Sequence, residues 1–201
     1  MPDLIPAPPA FGAPCPITPS PETLALLAGR RSSSAALLTA PGPDRGQVEA
    51  LLTLAARVPD HGKLSPWRFI VLQGAAKAAL VAELKRIAAE RGQPERALVK
   101  LAEPPVSVAV VSRPQPAAAI PVWEQQMSAG AVCMTLLIAA QAMGFGANWI
   151  TDWYSTEPDA LAALGLGEGE KIAGFIHFGT PAEPPQERAR PDLNALTTWR
   201  V

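Results

Sequence analysis

One segment limits the choice of fold more than any other. Residues 127–150 read "MSAGAVCMTLLIAAQAMGFGANWI", the longest apolar run of the chain. From Met127 to Met143 it carries no charge and no proline, which predicts a helix without a water-facing side. A membrane span needs about 20 apolar residues. This run is marginal for that, contains Ser128, Thr135 and Gln141, and has no basic flank. It predicts a fully buried core helix, so other elements must wrap around it.

Candidate wrapping elements are visible on both sides. "RFIVLQ" at 68–73, "PVSVAVVSR" at 105–113, "GANWIT" at 146–151 and "KIAGFIHFGTP" at 171–181 are short apolar runs that predict strands. Helices are expected from Pro21–Glu22, over about 47–57, over "AAKAALVAELKRIAAERG" with Gly92 as its stop, over about 122–143, and at "EPDALAALGL". "DRGQ" has the spacing of a capping box, Asp44 as cap and Gln47 three later. Strands interleaved with helices predict an α+β or α/β layered structure.

The length, 201 residues, suits one domain over residues 21–201, and 48% hydrophobic content suffices for its core. Residues 1–20 are proline-rich and read as an extended arm, without the charged start and apolar centre of a secretory signal. A net charge of −1 gives no reason to expect nucleic acid or a membrane as partner. Cys15 and Cys133 share no disulfide or metal-type spacing, which fits a reducing, cytoplasmic location.

Several short motifs could carry chemistry. "GRRSSS" holds Arg30, Arg31 and Ser32, donors that match phosphate oxygens. The same arginines also suit a solvated helix C-terminus. "RVPDHGKLSPWRF" holds Arg57, His61 and Lys63 beside Trp67, among turn formers. "MGFGANW" lacks the full dinucleotide fingerprint and follows a helix, so neither a Rossmann nor a P-loop site is expected. Gly144 and Gly146 there end the helix or admit a close backbone approach. Arg188 and Arg190 alone read as a solvated tail, His177 as a packed strand residue, and Cys133 as inert core. Ser32–Ser34 lack a nucleophile elbow.

In order, these pieces resemble the nitroreductase family, and most of all its short-chain NAD(P)H nitroreductase subgroup. The motifs are "RRS", "R-x-P-D-H-x-K-x-x-P-W-x-F", "W-E-Q-x-M-S-A-G", "G-F-G-x-x-W" and "G-F-x-x-x-G-T-P", spread over roughly residues 22–200. The resemblance implies an α+β fold, a mostly antiparallel sheet flanked by helices, in a domain-swapped homodimer. It implies FMN at the dimer interface, with each site built from both chains, and residues 128–131 as small interface positions.

It further implies that Arg30, Arg31, Ser32 and Arg190 contact the phosphate and ribityl chain. Arg57 and His61 reach the flavin, and Lys63 lies by its pyrimidine edge. Trp149, Ile150 and Thr151 contact it from the partner chain, although a relative with "WRS" has arginine at the position of Ile150. The implied activity is ping-pong transfer from NADH or NADPH, through flavin N5, to nitroaromatic or quinone-like acceptors. No catalytic side chain or metal is then required, because the cofactor carries the redox chemistry. Two alternatives stay open at this stage: another flavin reductase or dehydrogenase reaction, and a flavin-binding protein without turnover.

Overall fold

A computed structural model describes residues 4–200. Residues 1–3 of the expected arm and residue 201 of the expected domain lie outside the described residues. Residues 4–20 form no helix or strand, and Phe11 and Ile17 in them are fully exposed. The prolines explain this, since they fix φ and remove donors.

Seven helices follow among the described residues: α1 (Pro21–Gly29), α2 (Arg45–Ala55), α3 (Gly74–Arg91), α4 (Val99–Ala102), α5 (Val122–Ala142), α6 (Pro158–Ala163) and α7 (Leu193–Leu196). Helix α2 starts two residues earlier than predicted because its cap stands directly before it. Asp44 Oδ1 accepts from the Gln47 amide at 2.8 Å, and Gln47 Oε1 accepts from the Asp44 amide at 2.9 Å. Helix α3 buries Lys77, Val81, Leu84 and Ala88 on one face, and Gly92, at φ 66°, ends it.

The five strands are β1 (Leu38–Thr39), β2 (Trp67–Gln73), β3 (Val106–Ser112), β4 (Gly146–Ile150) and β5 (Lys171–Pro181), and every pairing is antiparallel. The architecture is therefore α+β rather than α/β. Strand β5 organises the sheet: β3 pairs one edge and carries β2 beyond it, β4 pairs Phe175–Gly179, and β1 takes Thr180 and Pro181. All seven residues of β3 are buried. Helices cover both faces of the sheet, which explains an apolar run without alternation. On one face Val108, Val110, Ile176 and Phe178 pack against α2 and α5 through Leu51, Val132 and Leu136. On the other, Leu72, Ala109 and Phe175 meet Leu84 and Ile87 of α3 and the buried ring of Tyr154.

The expectation of a fully buried α5 is corrected. Ala129, Val132, Leu136 and Ala140 are buried, but Trp123 and Met127 are each 64% exposed, and Gly130, Met134 and Ile138 are only half-buried. Those five positions lie on one helical face. This apolar stripe is left without cover by its own chain. Of the small residues 128–131, Ser128 and Ala129 are buried within the chain itself. Among the described residues no helix is long and apolar enough to cross a membrane.

Candidate functional site

The turn after α2 is built by one carboxylate. Asp60 accepts from the amides of Leu64 at 3.0 Å and Ser65 at 2.8 Å. Between them Gly62 stands at φ 74°, and two non-glycine residues, Lys63 at φ 54° and Ser65 at φ 45°, are also left-handed. That conformation is costly for residues with a Cβ and persists only where surrounding contacts impose it. Here Gln115 Nε2 donates to Leu64 O at 2.8 Å, and the Arg113 amide donates to Pro66 O at 2.9 Å. Trp67 Nε1 donates to Ser128 Oγ at 3.2 Å, and that hydroxyl donates to Pro59 O at 2.7 Å. The turn is thereby fastened to α5.

A cleft of about 290 Å³ opens between the turn and the first half of α5, walled by Ile120, Trp123, Met127 and Ala131. Two polar side chains face each other there: His61 Nδ1 lies 2.8 Å from Glu124 Oε2. Of the three cations expected at this turn, only His61 lines the cleft. Arg57 and Lys63 are exposed outside it, and neither makes an ion pair among the described residues. Nearby Arg68 is structural. It grips Glu170 through two 2.7 Å hydrogen bonds, which hold that carboxyl down at about 2.

The second group of candidates sits where the chain leaves α1. The Ser33 amide donates to Ala147 O at 3.0 Å, and the Asn148 side-chain amide donates to Ser33 O, so β4 anchors this segment. Arg31 Nε donates to Gln186 O at 2.7 Å, and Arg190 Nη2 donates to Arg30 O at 3.3 Å. Arg190 and Arg31 both approach Glu187, at 2.9 and 3.7 Å. The C-terminal segment, which alone reads as a solvated tail, thus brings Arg190 to Arg30 and Arg31. Two clefts flank Arg31. One, of about 430 Å³, presents Ser32, Ser33, Ser34 and Asn148. The other, of about 200 Å³, presents Arg30 and Gln141, whose buried Oε1 has no partner among the described residues.

Trp149 closes β4 over a strand irregularity. Opposite Val110 and Val111, β5 carries Ala173 as an extra, bulged residue. Its carbonyl accepts from Trp149 Nε1 at 3.1 Å, and the ring lies on Gly174. The far edge of the ring points toward Gly130 in the middle of α5. Ile150 is half-buried and Thr151 exposed.

One chain does not bring the two groups together. Glu124 and Gln141, which mark their ends of α5, are about 25 Å apart along the helix axis. Gly144, at φ 84°, ends α5, while Gly146 admits Pro181, Leu38 and Ser33, any of which a Cβ would strike. The remaining reactive groups are structural. His177 is fully buried, shares a 2.8 Å hydrogen bond with Ser107 and is pushed down to about 3, chiefly by burial. Burial pushes the Cys133 thiol up to about 12. Trp123 and Glu124 stand in the "W-E-Q-x-M-S-A-G" motif but were not read as site residues, and neither were Gln141 and Asn148, since no local spacing ties them to His61 or Arg31.

Comparisons with known proteins bear on the family and the fold. The model of the nitroreductase family matches residues 27–180. YdjA of Escherichia coli (strain K12), which carries an NAD(P)H nitroreductase name, is 35% identical over 164 residues, 80% of this chain and 88% of its own. A Haemophilus influenzae protein with the same kind of name is 34% identical over 174 residues, 84% of this chain and 94% of its own. The fold is shared with a nitroreductase-like protein from Bacillus cereus, at a TM-score of 0.77 and 21% identity over 92% of this chain and 98% of that one. It is shared too with a nitroreductase from Desulfovibrio desulfuricans solved in complex with FMN, at 0.70 and 22% over 92% and 99%. The chain belongs to the nitroreductase family and is an oxidoreductase.

Proposed function

We propose that the chain is an FMN-dependent NAD(P)H oxidoreductase that acts as a homodimer on nitroaromatic or quinone-like acceptors. The carrying observation is the donor set around Arg31. Arg30, Arg31, Arg190 and the Ser32 hydroxyl converge from chain segments some 160 residues apart, and the terminal nitrogens of Arg31 donate to no protein acceptor among the described residues. Forked cations with hydroxyl donors fit a phosphate monoester, and the orphaned Gln141 Oε1 fits a hydroxyl of a ribityl chain. The named FMN complex from Desulfovibrio desulfuricans, and a neighbour named FMN- and NADPH-dependent, support the same cofactors.

In this reading Arg30, Arg31, Ser32 and Arg190 hold the phosphate end, and Trp149, Ile150 and Thr151 lie along the ring. Because β4 holds both the Ser33 segment and Trp149, the partner-chain contribution expected of Trp149, Ile150 and Thr151 passes in this reading to Arg57, His61 and Lys63, which come from the second copy. That division accounts for two otherwise unconnected features: the two half-sites about 25 Å apart, and the uncovered stripe on α5. When bound, FMN supplies two-electron redox chemistry between a nicotinamide donor and an acceptor. The protein orients the cofactor, leaves one cleft for NADH or NADPH and acceptor to use in turn, and places cations where negative charge grows. In this reading residues 21–201 are a cytoplasmic enzyme and residues 1–20 a proline-rich arm that precedes it.

The absorbance spectrum of the purified protein tests the proposal. A yellow protein that releases FMN on heating and is bleached anaerobically by NADH or NADPH is expected. A colourless protein indifferent to FMN refutes it, and bound flavin that neither nucleotide reduces favours binding without turnover. Arg31→Ala should weaken FMN binding more at low than at high salt, since screening already diminishes the contact at high salt.

A further inference from the structure

We propose that Glu124 and His61 form a proton-delivery pair for the acceptor. Glu124 fixes the imidazole tautomer, and His61 Nε2 hands a proton to the acceptor's oxygen. The proposal rests on the flavin reading above and concerns the cleft walled by Trp123 and Met127.

The geometry sets the tautomer. An ionised carboxylate only accepts hydrogen bonds, so the 2.8 Å contact requires the proton to sit on His61 Nδ1. Nε2 is then the nitrogen where a proton comes and goes. It has no partner among the described residues and His61 lines the cleft, so a proton donated into the cleft leaves from this nitrogen. Both halves of the pair are held. Glu124 stands in the first turn of α5, where the helix dipole favours its negative charge. The neighbouring Gln125, only 2% exposed, pins that turn by accepting from the Gln115 amide and donating to Ile120 O, each at 2.8 Å. On the other side the Asp60 turn fixes the His61 backbone, and Gly62 packs so closely that a Cβ would lie 3.2 Å from Ile120 Cγ1.

Few other charges face the imidazole. Glu124 comes from α5; Asp60 and Lys63 come from its own turn. Both Asp60 oxygens are taken by the Leu64 and Ser65 amides, and Lys63 lies outside the cleft. The chemistry balances simply. Reducing a quinone to a hydroquinone adds one hydride, which the nicotinamide supplies by way of the cofactor, and one proton, which leaves Nε2–H for the quinone oxygen. The neutral imidazole regains its proton from solvent.

The chain has two histidines, so long-range nitrogen–proton NMR of the flavin-free protein reads each tautomer separately. In its neutral form, wild-type His61 should carry its proton on Nδ1. Glu124→Ala should return it to the Nε2–H form that free histidine prefers, while Glu124→Gln, whose carbonyl still accepts, should keep Nδ1–H. In the flavin-loaded enzyme, Glu124→Ala should slow oxidation by 1,4-benzoquinone at least about tenfold, a modest share of what general acids contribute. Oxidation by ferricyanide, which takes electrons without protons, should be slowed far less than oxidation by the quinone, and Glu124→Gln should retain most of the quinone rate. An Nε2–H tautomer in the wild type, or equal slowing with both oxidants, overturns the pair. A protein that holds no flavin overturns the cofactor reading instead, and the tautomer result is read independently of it.

Discussion

Gly174→Ala is the sharpest test of how β5 and Trp149 are built together. An added Cβ would lie 1.9 Å from Trp149 Nε1 and 2.4 Å from its Cδ1. Ordinary contact is about 3.5 Å, so the ring must retreat by about 1.5 Å or swing away. The backbone at 174 is not left-handed, so alanine itself is not strained and the cost lies in the ring. Retreat breaks the hydrogen bond to Ala173 O, worth about 1 kcal/mol. It also exposes about half of the ring's covered surface, about 80 Å² at about 25 cal/mol/Å², or roughly 2 kcal/mol. The sum, about 3 kcal/mol, corresponds to a Tm loss of about 6–12 °C for a chain of this size. Urea unfolding of the wild type, Gly174→Ala, Trp149→Ala and the double variant measures it. The three atoms nearest the added Cβ all belong to that ring, so once it is gone the double variant should be no less stable than Trp149→Ala alone. Additive costs would refute the reasoning, because they would place the clash somewhere other than on Trp149. FMN affinity should fall in all three variants, by similar factors, if the ring lies along the flavin.

Further outcomes follow from the buried and paired groups. His177 stays neutral when folded down to about 3 but gains a proton when unfolded near its ordinary value. The unfolded state therefore binds more protons between pH 6.5 and 3, and stability falls on acidification by up to about 1.4 kcal/mol per pH unit. His177→Phe should remove that slope from the unfolding free energy between pH 6 and 4, whatever it does to absolute stability; an unchanged slope would assign it to other groups. Glu170, held down at about 2 by Arg68, stabilises above its ordinary value of 4.5 and loses that contribution as pH falls toward 2. Glu170→Gln should cost about 1–2 kcal/mol at pH 7, the range of a charge-assisted pair partly open to water, and progressively less toward pH 2. Ellman's reagent should label Cys15 in the native protein and Cys133 only on unfolding, because Cys133 is buried with its thiol pushed up to about 12. Two fast native thiols would contradict the packing of α5.

What could be read from the sequence was set by locality. Strand β5 was predicted over 171–181 and is found there, since helices on both faces leave an unbroken apolar signature. The capping residues of α2 carried their own geometry, three positions apart. Strand β1 is two residues long and exists because the end of β5 extends beyond β4 to pair with it, which no local pattern encodes. The α5 expectation failed for a related reason: apolar composition states that a face avoids water, but not which chain covers it.

The candidate site divides along the same line. Arg30, Arg31 and His61 stood out because they are reactive types in short motifs. Of their partners, Arg190 was reached only through the family resemblance and Glu124 was not picked out, since Arg190 reaches Arg30 across 160 residues and Glu124 reaches His61 across 63. Gly174 shows the point most clearly. In the sequence it is one more strand glycine. In the fold its missing Cβ is the space that Trp149 fills, and the bulge beside it supplies the carbonyl that Trp149 needs. A residue whose role is to be absent leaves no signal in its own neighbourhood. Its requirement is written in a tryptophan on another strand, so only substituting the two together can show that they form one unit.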